Sequence, residues 1–169
     1  MDFKFITEKK REYLPVNSFM RAAALVSLAA IAFGLTFLVF PFEQWRVHFF
    51  QAGIFASGFL FGPLAGLAVG ALSSSYNGLY VINNPWIIGG NALLGLSAAY
   101  FYTRMHPMKA VAAAFAIQVP YLIITDVFIV GMPLAVFGGI LATLAAEALI
   151  CGFAAWKISE AARPYLARN

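Results

Sequence analysis

Charge is scarce in this chain. Of 169 residues, 11 are Lys or Arg and 7 are Asp or Glu, so charged residues make up 11%, less than half the share of an ordinary soluble domain. Cysteine is scarcer still. Cys151 stands alone, which excludes an intramolecular disulfide, and within an apolar span it reads as a small packing residue. Histidine is limited to His48 and His106. There is no H-E-x-x-H and no metal-spaced Cys/His set, so no metal site is expected. There is no G-x-x-x-x-G-K-[ST] loop, so ATP hydrolysis by that route is excluded. No G-x-S-x-G accompanies the histidines. These absences argue against an enzyme and against a resident cofactor. The net charge of +4 does not point to nucleic acid, because the basic residues sit in the gaps between apolar runs.

Apolar sequence is what the chain does have. Hydrophobic residues make up 62% and mean hydropathy is +0.83, well outside the soluble range. The composition predicts an all-α integral membrane protein. There is room for about six helices of ~20 residues and none for a second domain. Residues 1–21 are charged and the first apolar run is too long for a signal h-region, so no secretory signal is expected.

The expected order is a cytoplasmic N-terminal segment (1–21), a six-helix transmembrane domain (22–156) and a charged cytoplasmic tail (157–169). The N-terminal segment reads either as an interfacial helix or as a frayed tail. The spans fall at about 22–40, 47–61, 63 to 76–80, 86–102, 110–130 and 133–156. Gly62-Pro63 breaks the second from the third, with Pro63 at a first helical position where its missing N–H costs nothing. Asn83-Asn84-Pro85 and Gly131-Met132-Pro133 are further turns. Six spans bring both termini to one side, and every Lys and Arg except Arg46 then lies on that side. The positive-inside rule makes it the cytoplasm, giving an N-in, C-in multi-pass protein of the plasma or inner membrane.

The stretch from Gly62 to Asn91 departs from lipid-facing chemistry. Gly62, Gly66, Gly70, Ser74 and Gly78 recur every fourth residue, a small-residue ridge that lets helix backbones approach closely in a bilayer. The ridge runs into Tyr76, Asn77, Tyr80, Asn83 and Asn84, and amides in hydrocarbon are costly without partners. Ser73-Ser74-Ser75 and Asn77-Gly78 are poor helix formers, so loosened backbone is expected there, beside protein or a water-filled cavity. The plainer alternative is a tight helix seam followed by an ordinary loop.

Topology sends polar and aromatic groups from several segments to the outer half. They are Trp45, Arg46, His48 and Gln51 around the start of span 2, Tyr76 to Asn84, Trp86 and Asn91, and Gln118, Tyr121, Thr125 and Asp126 on span 5. Such convergence predicts a small-molecule site. The expected ligand contacts are Trp45, Arg46, Gln51, Tyr76, Asn77, Tyr80, Asn83, Asn84, Asn91, Tyr121 and Asp126, with Arg46 and Asp126 as a charge pair suited to a flat polar ring system. Glu147, some 21 Å into span 6 at about 1.5 Å per residue, is expected past the midplane toward the cytoplasm, either as a protonated hydrogen-bonding group or as part of a proton path.

These features resemble the substrate-binding (S) component of energy-coupling factor (ECF) transporters. The resemblance rests on the basic N-terminus, a first span with a small-residue face, Gly62-Pro63-Leu64-Ala65-Gly66 between spans 2 and 3, Asn91-Ala92-Leu93-Leu94-Gly95 entering span 4, and six spans in this length. It implies a subunit that binds a vitamin or related micronutrient in the outer half and has no ATPase of its own. It also implies partners: a transmembrane coupling protein and two cytoplasmic ATPases, which use the ATP. Docking in the family uses an Ala-x-x-x-Ala motif on span 1. Here Ala23, Ser27, Ala30 and Gly34 share one face in its place. Two other readings of the same hydropathy are a non-transporting six-span scaffold of the rod-shape D kind and a proton-coupled secondary carrier using Asp126 or Glu147.

Overall fold

The computed structural model describes residues 11–42 and 45–168, without the side chains of 39–46. Six helices carry the fold: α1 (Phe19–Leu35), α2 (Gln51–Phe61), α3 (Pro63–Tyr76), α4 (Trp86–Tyr102), α5 (Pro107–Leu122) and α6 (Leu134–Ala167). Two π-helical stretches, Asn77–Val81 and Ile123–Ile129, extend α3 and α5. Strands β1 (Val39–Phe42) and β2 (Trp45–His48) form an antiparallel hairpin between α1 and α2, pairing Val39 with His48 and Phe42 with Trp45.

The hairpin corrects two expected boundaries. Span 1 does not run to residue 40 and span 2 does not begin at 47. Val39, Val47 and the aromatics around them favour extended backbone. Pro41 has no N–H to continue a helix and is tolerated in an edge strand. Glu43 and Gln44, assigned to this loop, lie outside the described residues.

Helix α2 is the axis of the bundle. At 11 residues it is only about 16 Å long, and nearly all of it is buried, from Gln51 through Leu60. Phe55 and Phe59 pack with Leu94, Ala98 and Tyr102 of α4, Val111 and Ala114 of α5, and Ala148, Cys151 and Ala155 of α6. Phe59 stacks on Tyr102 with ring centroids 4.3 Å apart. Cys151 is buried in this core, in the packing role expected of it.

The small-residue ridge seats α3 against α4. A Cβ on Gly66 would meet the carbonyl of Gly95, and one on Gly70 the carbonyl of Asn91. The two helices touch backbone to backbone because glycine leaves nothing between them. Gly62 takes φ 100°, a left-handed conformation that glycine adopts without steric cost, so α2 turns into α3 across Gly62-Pro63. The serines do not loosen α3. Ser73 and Ser74 Oγ donate to the carbonyls of Val69 (2.8 Å) and Gly70 (2.6 Å), one turn back. The helix widens only at Asn77, where Ile82 N donates to Asn77 O at 2.8 Å across five residues.

At the end of the bundle holding the α2–α3 turn, residues 11–17 pack as a strap rather than as an interfacial helix or a loose tail. Leu14 N donates to Leu60 O (2.8 Å), Tyr13 Oη to Ala99 O (2.5 Å) and Arg11 to Met105 O (3.1 Å). From α1, Arg21 Nε donates to Leu166 O at 2.9 Å. From α6, Arg163 donates to Phe59 O at 2.9 Å. Guanidinium groups thus cap carbonyls left free at helix C-termini. The segment 157–167, expected as a tail, continues α6 to a length of 34 residues.

Two helical stretches among the described residues are long and apolar enough to cross a membrane by length and composition, Pro107–Ile129 and Leu134–Ala167. The surface carries large apolar side chains in the open, Phe19, Leu64, Phe128 and Leu134 among them, each more than 70% exposed.

Candidate functional site

The hairpin, the α3–α4 connection and the α5–α6 connection meet at the end of the bundle away from the strap. Between them lies a cavity of about 370 Å³. This is at the small end of the ~300–1,000 Å³ typical of ligand pockets. Its polar lining comes from five segments: His48 of β2, Asn77 and Asn84 around the first π-helical stretch, Asn91 of α4, Gln118 and Asp126 of α5 and its extension, and Thr143 and Glu147 of α6. Apolar side chains, including Phe50, Ile87, Leu122 and Ile140, fill the rest of the wall.

Local backbone chemistry sets each polar group. Asn83 takes φ 55°, a left-handed conformation Asn tolerates better than most residues. That turn swings the neighbouring Asn84 inward. Asn84 Nδ2 donates to Asp126 Oδ1 at 2.8 Å, and its Oδ1 accepts from Trp86 N at 3.1 Å, opening α4. Asp126 is 5% exposed and stands in the second π-helical stretch, where Val130 N donates to Thr125 O at 2.9 Å across five residues. Gln118 Nε2 donates to Gly90 O at 3.0 Å, while its buried Oε1 has no partner among the described residues. Glu147 Oε1 accepts from His48 N at 2.9 Å, fixing the hairpin to α6.

Four of the expected contacts, Asn77, Asn84, Asn91 and Asp126, line this one cavity. Others do not. Gln51 is buried at the head of α2, outside the lining, with its Oε1 unpartnered among the described residues. Tyr76 packs on Phe37 at 4.7 Å and leans toward Tyr80, which is 77% exposed. Asn83 faces outward. Tyr121 lies behind the wall, its hydroxyl donating to Trp86 O at 2.9 Å. Trp45 and Arg46 lie on β2, and their side chains are outside the described residues, so the expected Arg46–Asp126 pair is too. The described partners of the Asp126 carboxylate are Asn84 and Thr125.

Two corrections concern faces and depth. Of the four polar groups expected on span 5, Gln118 and Asp126 line the cavity, with Leu122 between them, and Tyr121 and Thr125 do not. Glu147 lines the same cavity as Asp126 rather than lying beyond it. Because α6 runs on through the charged segment to Ala167, Glu147 falls in its first half. His48, Gln118, Thr143 and Glu147 were visible as polar groups in apolar sequence but were not among the expected contacts.

Away from the cavity lining, Ala23, Ser27, Ala30 and Gly34 are all exposed along α1. A Cβ on Gly34 would meet nothing within 4 Å.

No protein-family model and no curated protein matches this sequence. A solved structure does match in fold. The chain is similar to the S component of a bacterial ECF transporter, with a TM-score of 0.60 and 21% identity, over 88% of this chain and 96% of that one. The fold is therefore similar to that of an ECF S component. Among the described residues, the chain is a six-helix bundle with a hairpin closing over a polar cavity at one end.

Proposed function

We propose that this chain is the membrane-embedded substrate-binding subunit of an ATP-driven, ECF-type importer, taking a vitamin or related micronutrient into the cavity. The observation that carries this reading is the convergence of Asn77, Asn84, Asn91, Gln118, Asp126 and Glu147 on one cavity of ligand size, in a fold similar to an S component. A bundle that needed only to be stable would be better served by apolar side chains there.

In this reading all six helices cross or enter the bilayer, and the exposed apolar side chains face lipid. The strap end, with its Arg and Lys, faces the cytoplasm, so the cavity opens outward. Helix α2 is too short to span ~30 Å of hydrocarbon and is completed by the hairpin above it. The proposed contacts are Asn77, Asn84, Asn91 and Asp126, joined by His48, Gln118 and Glu147. Trp45 and Arg46 stand on the hairpin beside them. The exposed small face of α1, at Ala23, Ser27, Ala30 and Gly34, is the proposed seat for a transmembrane coupling protein, whose associated ATPases supply the energy.

Uptake of the bound compound by cells carrying the chain and its importer partners tests the coupling. Uptake that stops on ATP depletion and survives a protonophore supports the reading. The opposite pattern makes the chain a proton-coupled carrier.

A further inference from the structure

We propose that the cavity takes a small organic cation bearing N–H donors, such as an alkylammonium, an amidinium or a protonated aminoheterocycle. This rests on reading the cavity as the ligand site and adds the charge of what enters it.

The wall has a surplus of acceptors. Asp126, Glu147 and Gln118 are 5%, 3% and 3% exposed and all line the cavity. Asp126 Oδ1 and Glu147 Oε1 accept from Asn84 Nδ2 and His48 N, while Asp126 Oδ2 and Glu147 Oε2 take no hydrogen bond among the described residues. Among the described residues the buried Gln118 Oε1 is also without a donor, and a buried acceptor left so is costly. Of the lining amides, Asn84 Nδ2 donates to Asp126, Gln118 Nε2 to Gly90 O and Asn91 Nδ2 to Ile87 O at 3.1 Å. A ligand rich in N–H groups is the complement of such a wall.

Charge points the same way. No Lys or Arg lines the cavity among the described residues. An anion would meet two like charges in a low-dielectric setting, and a cation would find the counter-charge that buried carboxylates need. A bare metal ion fits less well. No group of three or more His, Cys, Asp or Glu among the described residues could hold one, and a cavity of about 370 Å³ is far larger than an ion. The apolar wall at Ile87, Leu122 and Ile140 gives the carbon body of an organic cation a surface to cover.

The test uses benzamidine, benzamide and benzoate, three probes of one shape differing in charge. Each is added at millimolar concentration to the purified full-length protein in mild detergent and followed by thermal unfolding, which rises with occupancy. Benzamidine is expected to bind about tenfold or more tightly than benzamide, with benzoate giving no shift. Asp126→Asn and Glu147→Gln keep an acceptor for Asn84 and for His48, so both preserve the local fold, and each is expected to reduce the preference for benzamidine. A benzoate shift equal to or above that of benzamidine overturns the proposal, as does a preference that survives in both variants. No shift from any probe overturns it as well. In each of these cases the underlying site reading stands if a co-purified compound is present in the wild type and lost in Ile140→Trp. It falls if the wild type neither carries a compound nor takes one up from a micronutrient panel, or if Ile140→Trp retains it.

Discussion

Gly95→Ala is the sharpest probe of how the cavity is held open. One methyl group on Gly95 would strike the carbonyl of Gly66 and would stand 2.7 Å from Ile54 Cγ2. The Ile54 side chain can rotate away, but the Gly66 backbone cannot unless α3 and α4 separate. Overpacking of this kind costs roughly 1–3 kcal/mol, and a backbone obstacle belongs at the upper end. Helix propensity offsets up to about 1 kcal/mol, since Ala is the better helix former. The matched control is Gly138→Ala on α6, where a new Cβ meets nothing within 4 Å and only the propensity gain remains. The two variants should therefore differ by about 2 kcal/mol or more, or roughly 4–8 °C in Tm for a domain of this size. Thermal unfolding in the same detergent measures the difference. The seam also positions Asn77 and Asn91 across the cavity, so ligand affinity should fall in Gly95→Ala and hold in Gly138→Ala. If Gly95→Ala unfolds within about 0.5 kcal/mol of Gly138→Ala, the variation expected of a neutral surface change, α3 and α4 are not in backbone contact and the account of the seam is wrong.

Other expectations follow from single contacts. Asn84→Ala removes a hydrogen bond to a charged group as well as the bond to Trp86 N, and should cost about 1.5–3 kcal/mol by denaturant or thermal unfolding; no loss would mean that the Asn84–Asp126 pair does not form. Glu147→Ala should release the hairpin, seen as faster amide exchange at His48, whereas Glu147→Gln keeps an acceptor and should leave that exchange nearly unchanged. Ala30→Phe on the exposed face of α1 should leave the stability of the isolated chain within about 0.5 kcal/mol of wild type by thermal unfolding while abolishing co-purification with a coupling protein. Retained co-purification would move the docking surface off α1.

Much of the fold was written in local chemistry. The Gly62-Pro63 break, the four-residue glycine ridge and the Asn-Asn-Pro turn are each determined by a few neighbouring residues, and each sits where the spacing put it. The hairpin was concealed because Val39, Phe40, Val47 and their neighbours are as apolar as the helices they join, and hydropathy does not separate a short ribbon from a span. Side-chain direction was legible only where the helix kept its 3.6-residue period. At Asn77 and again at Ile123 the backbone widens to π-helix, which shifts every following residue around the axis. Tyr80 thereby turns outward, and Asp126 comes onto the inner face with Gln118. Composition could not choose between Asn83 and Asn84; the positive φ of Asn83 does. Glu147 was misplaced in depth because a charged sequence was taken to end a helix that continues through it, with Trp156, Lys157 and Glu160 bonded to one another along its face.

Native mass spectrometry of the gently purified protein, followed by denaturing extraction, tests most directly whether the cavity is a ligand site. The wild type should carry a stoichiometric small molecule, or take one up from a micronutrient panel. Ile140→Trp, which fills the cavity from α6, should be empty. A wild type that stays empty across the panel, or an Ile140→Trp protein that retains the compound, would contradict the assignment of this cavity as the place where the protein does its work.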